Sequence, residues 1–208
     1  MPDERTWILG YGSLLQARSR GRNIAGDATP IPVRVAGWRR SWNTRCTNVG
    51  FTCTFLGVTP DAGASLNGVL APVAASELPE LDRRESGYQR VPVDPGAIEV
   101  LGGADAGGAV DAAVVYATTS PIEPTSDLPI LQSYLDICLE GCFEVEAMLG
   151  PGSNFAQDFL ATTHGWSRHW VNDRLFPRAP FRYVPQAGRI DRLLRDRCPA
   201  EFDAIRIE

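Results

Sequence analysis

The spacing of apolar and polar residues along the first 120 positions predicts a fold built mainly from strands. Short runs rich in β-branched and aromatic residues alternate with turn residues. The expected strands are residues 6–9, 32–47, 51–58, 66–73, 88–93, 97–101 and 110–118. We expect the second strand to bend at Gly37, and the third and fourth to form a hairpin or a neighbouring pair around the turn-rich sequence TPDAGAS. With one short helix at about 77–86, this pattern predicts a small β-barrel or a strongly curved mixed sheet.

The hydrophobic period changes after a connector at 121–129 that is interrupted by prolines. Apolar residues recur at helical spacing over 128–149, which predicts a long helix. Further helices are expected within 154–163, 166–176 and 189–196. The whole pattern predicts an α+β fold in a single domain over 1–208, with a β core at about 6–120 and a helical C-terminal part at about 127–208.

The charge balance argues against a nucleic-acid partner. The chain carries a net charge of −5 and has a pI near 5.1, and it offers no basic stripe that could meet phosphates. The arginine-rich stretches are interpreted as solvated surface, and they contain Arg18, Arg20, Arg22, Arg39 and Arg40. No run reaches the ~20 apolar residues that a membrane span requires, and the N-terminus lacks the basic and apolar regions of a signal peptide.

The five cysteines form an odd set without a CxxC pair, which predicts a reducing cytoplasmic environment and packed thiols. Cys138 and Cys142 stand one helical turn apart, but two further ligands at metal-like spacing are missing, so no metal site is expected. In the last third of the chain, His169 and Asp173 are expected to form a hydrogen-bonded pair on one helix.

A carboxylate interrupts the apolar face of the short helix at about 77–86. Leu78, Leu81 and Glu85 fall at i, i+3 and i+7 and therefore share one face. On one interpretation, Glu85 lies at the helix end and pairs with a nearby arginine: Arg83, Arg84 or Arg90. On the other, it lies in a water-poor pocket, where burial raises its pKa and makes it a usable acid and base near neutral pH. The residues alone leave both interpretations open.

The first strand runs into the sequence GYGSL, with a glycine on each side of Tyr11. Such a backbone lets main-chain N–H groups approach a small anion. The stretch lacks the GK[ST] of a P-loop, and Leu15 stands where a dinucleotide-binding fingerprint has its third glycine. Ser13 lacks the G-x-S-x-G context of an activated nucleophile. A loop of N–H donors beside a buried carboxylate favours a reaction whose substrate supplies its own nucleophile.

Five segments, in this order, resemble the γ-glutamylcyclotransferase superfamily, including its ChaC-type and AIG2-like branches. They are YGSL (11–14), LNGVLAPV (66–73), LDRRESGY (81–88), VVYAT (114–118) and SYLDICLEG (133–141). The resemblance covers about residues 6–145, and the sequence beyond about residue 150 departs from the family pattern. The identity of the substrate therefore stays open.

The resemblance implies an enzyme of the transferase or lyase class. In that family the α-amine of a γ-glutamyl group attacks its own γ-carbonyl, which gives 5-oxoproline and a released amine or amino acid. The site residues that the resemblance implies are catalytic Glu85 and substrate-binding Tyr11, Gly12, Ser13, Leu14, Tyr116 and Tyr134, with Tyr88 as a further candidate.

No cofactor and no metal are implied. The expected partner is a small-molecule γ-glutamyl compound in the cytoplasm, as in glutathione metabolism, with a homodimer left open and neither nucleic acid nor membrane involved. Two alternative functions are left open. The first is the same reaction on a γ-glutamylamine or a γ-glutamyl-protected metabolite, and the second is a catalytically silent binding or regulatory module. The missing phosphate motif disfavours a flavin- or nucleotide-binding barrel.

Overall fold

The computed structural model describes residues 5–23, 29–46, 52–85, 87–103, 106, 109–177 and 184–207. The strands in these ranges are β1 (Arg5–Gly10), β2 (Ile31–Cys46), β3 (Cys53–Ala74), β4 (Tyr88–Pro92), β5 (Ile98–Val100), β6 (Ala113–Thr118), β7 (Ile130–Leu131), β8 (Thr163–His164), β9 (Trp170–Asn172) and β10 (Arg206–Ile207). The α-helices are α1 (Ala17–Asn23), α2 (Leu78–Arg84), α3 (Gln132–Leu149), α4 (Phe155–Ala161), α5 (Ala187–Arg197) and α6 (Pro199–Asp203).

The strands of the described chain form one mixed sheet that does not close into a barrel. β3 lies at its centre, antiparallel to both β1 and β2. β1 pairs in parallel with β6, and β6 pairs antiparallel with β4. The short strands β7, β9 and β10 extend the sheet beyond β3 through parallel pairs. Of the two predicted alternatives, the strongly curved mixed sheet within an α+β fold is confirmed.

The two longest strands overturn the predicted hairpin. Residues 53–58 and 66–73 belong to one strand, β3; the first part pairs with β2, and so do residues 66–70 of the second. The register shifts between Ala36 and Trp38, where Gly37 has a φ of +82°. β2 therefore bends at Gly37 as predicted, because glycine adopts this left-handed conformation without steric cost. The turn-rich residues 61–64 form an irregularity opposite this bend instead of reversing the chain.

Buried residues pack on both faces of the sheet. On one face, α3, α4 and α5 cover Trp42, Leu56 and Trp170. On the other, apolar side chains from β1, β2, β3 and β6 contact one another, including Leu9, Val33 and Val115. The second cluster contains no residue of an α-helix among those described. The sheet therefore curls around its own side chains, which explains its curvature.

The C-terminal part corrects two predictions. The long helix begins at Gln132, because Ile130 and Leu131 join the sheet as β7. The helix expected over 166–176 is wrong: Trp170–Asn172 is strand β9, whose first two residues are buried beside β7. In the described ranges, no helix combines the length and the apolar character that crossing a bilayer requires.

The predicted helical pair of His169 and Asp173 is also wrong, because neither residue lies on a helix. Buried Asp173 instead accepts hydrogen bonds from the main-chain N–H and the hydroxyl of Ser133, at 2.9 and 2.7 Å. Ser133 is in the first turn of α3. A carboxylate at this end of a helix accepts hydrogen bonds from the free N–H groups and is attracted by the positive end of the helix dipole. Asp173 thus fixes the end of the helix that carries Tyr134.

Candidate active site

A small cavity lies where the end of β1 meets α2 and α3. Its volume is about 70 Å³. The residues that line it are Ile8, Leu9, Tyr11, Gly12, Ser13, Leu14, Leu56, Glu85, Tyr88, Tyr116 and Tyr134. The structure thus brings together all seven residues that the sequence singled out, with Tyr88. Leu56 and the two β1 residues are apolar walls that the sequence did not identify as part of a site.

The loop after β1 lines this cavity with residues whose main-chain N–H groups are free of protein acceptors among those described. A single 3-10 turn, Ser13–Leu15, follows Gly12 and is closed by hydrogen bonds from Leu15 N to Gly12 O (3.0 Å) and from Gln16 N to Ser13 O (3.2 Å). The N–H groups of Gly12, Ser13 and Leu14 have no acceptor within the described residues. A helical turn leaves its first N–H groups unsatisfied, so these three donors are available to a ligand.

Two arginines hold the carbonyl side of the same loop. Arg20 donates to the carbonyl oxygens of Leu14, at 2.9 Å, and Leu15. Arg40 donates to the carbonyl oxygen of Tyr11 at 3.2 Å. Arg40 is 0 % exposed, so its interpretation as solvated surface is wrong.

The strand alternation explains why Arg40 is inside. It has the same parity on β2 as Trp38 and Trp42, both of which are buried, whereas Arg39 points outward. That alternation was the signal in the sequence that could have identified it.

Glu85 follows directly after α2 and is half-buried at the wall of the cavity. Burial raises the pKa of its carboxyl above the ordinary 4.5, and the positive charge of Arg84 partly opposes this rise. No side chain in the described ranges donates a hydrogen bond to it. The Glu85 carboxylate is therefore available to a ligand in the cavity.

The arginines that could have neutralised Glu85 form ion pairs with other carboxylates. Arg83 and Arg84 lie 2.7 and 3.3 Å from the carboxylate of Glu80. Arg90 lies 3.4 Å from the carboxylate of Asp82. These contacts favour the second interpretation of Glu85, a carboxylate at a pocket, over a helix-end residue held by an ion pair.

Four tyrosines complete the polar lining. Tyr11 Oη donates to the carbonyl oxygen of Tyr116 (2.8 Å), and Tyr116 Oη donates to Asp82 Oδ1 (2.8 Å). Tyr88 Oη donates to the carbonyl oxygen of Leu56 (3.2 Å). Burial is the largest cause that raises the pKa of all four phenols above 10.0. They therefore stay protonated at neutral pH, and Glu85 is the ionisable base of the lining.

Tyr134 is held by aromatic packing on α3. Its ring stacks on Phe55 with centroids 4.1 Å apart and an angle of 9°, and it meets the edge of Trp42 at 5.9 Å. Gly141, two turns further along α3, packs against the 3-10 turn: a Cβ there would lie 2.3 Å from Gln16 N. Helix α3 and the loop therefore fix each other's position.

Among the described residues, no three His, Cys, Asp or Glu side chains converge as metal ligands would. All five cysteines are buried. The chemistry available at the cavity is therefore that of one carboxylate, several neutral phenols and the main-chain donors.

Comparison with known proteins gives similarity in structure and none in sequence. No protein-family model matches the sequence, and no curated protein matches it. A solved γ-glutamyl cyclotransferase superposes with a TM-score of 0.56 and 16 % identity, over 76 % of this chain and 88 % of its own. An uncharacterized human protein gives the same TM-score and identity over 79 % of this chain and 92 % of its own. The chain thus has the fold of γ-glutamyl cyclotransferases.

Proposed function

We propose that this protein is a γ-glutamylcyclotransferase, which converts a γ-glutamyl compound into 5-oxoproline and a free amine or amino acid. The observation that carries the proposal is a single small cavity lined by both the Glu85 carboxylate and the loop whose N–H groups at Gly12, Ser13 and Leu14 lack protein acceptors. The fold shared with a γ-glutamyl cyclotransferase supports it.

The polarity of the cavity suits the γ-glutamyl group, because loop residues with free N–H groups and the Glu85 carboxylate line the same space. The loop N–H groups bind the substrate's α-carboxylate or the oxyanion that develops on its γ-carbonyl. Because the nucleophile and the carbonyl belong to one molecule, the protein has mainly to select the folded-back conformer, and such orientation is worth about 7–11 kcal/mol.

Glu85 moves the proton in this reaction. The α-nitrogen forms a bond to the γ-carbonyl carbon, and the bond from that carbon to the leaving nitrogen breaks. Glu85 accepts the proton that the α-nitrogen loses and donates it to the leaving nitrogen, so the atoms balance without a co-reactant. A pKa raised by burial lets one carboxylate perform both steps near neutral pH.

The test is incubation of the purified protein with a panel of γ-glutamyl compounds, followed by detection of 5-oxoproline by mass spectrometry. The panel contains glutathione, γ-glutamyl dipeptides and γ-glutamylamines. Glu85→Gln keeps the shape of the side chain and removes its exchangeable proton. We expect it to lower kcat at least about tenfold, because a smaller loss corresponds to less than ~1.4 kcal/mol of the barrier.

Glu99→Gln is the matched control, because Glu99 is an exposed glutamate on β5 that does not line the cavity. It should leave kcat unchanged. A Glu85→Gln protein with more than a tenth of the wild-type kcat would contradict Glu85 as the proton carrier. Wild-type protein that releases no 5-oxoproline from any panel member would contradict the proposed activity as a whole.

The same panel separates the two alternative functions. Turnover of γ-glutamylamines alone would show that the protein catalyses the same cyclisation with an amine, and not an amino acid, as the released group. Binding of a γ-glutamyl compound without turnover would assign a silent binding module. An unpaired carboxylate at a cavity favours the enzyme, because keeping that group partly desolvated costs free energy that a silent module has no need to spend.

A further inference from the structure

Arg40 joins three distant parts of the chain behind the site loop. Its guanidinium is fully buried on β2. Nε donates to Thr163 Oγ1 (2.8 Å), and Nη1 donates to the carbonyl oxygens of Tyr11 (3.2 Å) and Asn67 (2.8 Å). Nη2 is within hydrogen-bond distance of Asn67 Oδ1 (3.0 Å), Phe159 O (2.9 Å) and Thr162 Oγ1 (2.8 Å). All five N–H donors of the side chain are therefore satisfied.

Every one of these acceptors is neutral. No carboxylate of the described chain forms an ion pair with Arg40, and the ring of Phe159 lies 3.9 Å from its Cζ. Burial lowers the pKa of Arg40 to about 10, which still leaves it positively charged at neutral pH. A buried charge without a counter-ion destabilises the fold. We therefore expect the positive charge of Arg40 to have a role beyond its own hydrogen bonds, namely to attract a negatively charged group nearby.

The peptide bond between Tyr11 and Gly12 connects Arg40 to the cavity. Arg40 binds its carbonyl oxygen. The peptide is trans, so the N–H of Gly12 points away from Arg40. This N–H has no acceptor among the described residues, and Gly12 lines the cavity. A cation on the carbonyl polarises the peptide and makes its N–H a stronger donor to an anion.

The cavity itself lacks positive charge. None of its lining residues is a lysine or an arginine, and Glu85 contributes a negative charge when ionised. A ligand that carries a carboxylate would meet this negative charge without an opposing cation in contact. Arg40, one peptide away, is placed to compensate it.

We propose that Arg40 is a positioning residue that makes the site select carboxylate-bearing ligands, by polarising the Tyr11–Gly12 peptide and supplying the positive charge that the lining lacks. This inference rests on the proposed function and names the feature of the substrate that the loop recognises. Arg40 acts through the peptide and touches no reacting atom.

The experiment compares two ligands that differ in charge and little in shape. Wild-type protein and variants are titrated calorimetrically with 5-oxoproline, which is an anion, and with 5-oxoprolinamide, which is neutral. We expect the wild type to bind the anion about 10- to 100-fold more tightly than the amide. This is the size of effect that the Coulomb attraction between two unit charges gives in a partly buried site. Arg40→Gln should abolish this preference and leave the affinity for the amide nearly unchanged, whereas Arg40→Lys should keep most of it.

A purely structural role for Arg40 predicts a different result: the affinity for both ligands would fall together. If Arg40→Gln does not fold, Asn67→Asp provides the same test. It sets a carboxylate of nearly the same shape where Asn67 Oδ1 now accepts from Arg40, so the positive charge of Arg40 is balanced while the arginine stays in place. Because the variant also loses the hydrogen bond from Asn67 Nδ2 to Phe155 O (2.8 Å), the anion preference is read as a ratio of the two affinities, which a general loss of structure lowers together. Arg34→Gln is the matched control, because Arg34 is an exposed arginine on β2 paired with Asp158; the preference should survive.

The outcomes separate this inference from the proposed function. Wild-type protein without a preference for the anion, or an anion preference that persists in Arg40→Gln or Asn67→Asp, would overturn the role of Arg40 even if 5-oxoproline is formed. Wild-type protein that binds 5-oxoproline in preference to the amide, yet turns over no γ-glutamyl compound, would overturn the proposed activity and leave the role of Arg40 standing.

Discussion

The hydroxyl of Tyr134 reaches so close to Gly12 that a Cβ on residue 12 would lie 2.9 Å from its oxygen. This contact joins the loop after β1 to helix α3 at the wall of the cavity. Real Cβ atoms do not approach other atoms so closely, so residue 12 has to be glycine for as long as Tyr134 keeps its position. The contact also makes residue 12 a sensitive point at which to perturb the site.

Gly12→Ala should therefore reduce activity. The added methyl group displaces either Tyr134 or the loop, and overpacking of this kind costs about 1–3 kcal/mol. We expect kcat/KM for a γ-glutamyl substrate to fall about tenfold or more. Tyr134→Phe removes the oxygen that would clash with the new methyl group. Gly12→Ala should therefore lower kcat/KM less in the Tyr134→Phe background than it does in the wild type. Strictly additive effects in this double-mutant cycle would contradict the contact.

Glu85→Gln should change the pH dependence of stability. Because burial raises the pKa of Glu85 in the folded protein, the folded state holds more protons than the unfolded state between pH 4.5 and that raised pKa. The contribution of Glu85 to the free energy of unfolding therefore falls as pH rises through this window. Relative to wild type, the variant should gain stability as pH rises above about 4.5, as measured by urea denaturation. A difference that stays constant across this range would show that the Glu85 pKa is not raised.

The acid limb of the activity profile should report the charge of Arg84. Glu85 has to be ionised to accept a proton, so kcat/KM falls below its pKa. The positive charge of Arg84 lowers that pKa, so Arg84→Gln should move the limb to higher pH.

Arg83→Gln is the control for this effect, because Arg83 also pairs with Glu80 and is not among the charges that shift Glu85. Its pH profile should overlay the wild-type profile. Equal displacements in both variants would mean that loss of the Glu80 ion pairs, and not the charge beside Glu85, moves the limb.

Gly141→Ala should destabilise the protein although alanine favours helices. Its Cβ would lie 2.3 Å from Gln16 N and 2.4 Å from the carbonyl carbon of Leu15, so α3 would have to move away from the loop. We expect a loss of about 1–3 kcal/mol in the free energy of unfolding. Gly188→Ala in helix α5 meets no atom closer than 3.7 Å and should be neutral or stabilise by up to about 1 kcal/mol. The prediction fails if both variants are stabilised alike.

Glu85 and Gly12 were accessible from the sequence because they belong to short local patterns, whereas Tyr116 and Tyr134 were indicated by the family resemblance. Glu85 interrupts an apolar helix face, and Gly12 stands in a strand-to-loop transition with another glycine nearby. Both signals depend on neighbours within a few positions. The bend of β2 at Gly37 was predictable for the same reason.

The errors concern partners that are distant in the chain. Residues 53–58 and 66–73 look like two halves of a hairpin, but residues 66–70 pair with residues 31–35 of β2, which lie 31 to 39 positions earlier in the chain. Strand β9 is three residues long and has no period to detect; it is a strand because β7 and β10 lie on either side of it. Arg40 stands next to Arg39, which is exposed, and this charged pair indicated a surface location for both. The alternation along β2 indicated that the Arg40 side chain lies in the interior.

The acceptors of Arg40 have a consequence for any attempt to shorten the protein. Every residue that lines the cavity lies at or before position 134. The guanidinium that binds the Tyr11 carbonyl is nevertheless held by Phe159 of α4, by Thr162 directly after that helix and by Thr163 of β8. A fragment that ends after α3 would keep every residue that lines the cavity and would lose the residues that accept hydrogen bonds from Arg40 behind it. The part of the chain that is needed to hold this cavity is therefore larger than the set of residues that line it, and a shortened version has to extend at least through β8.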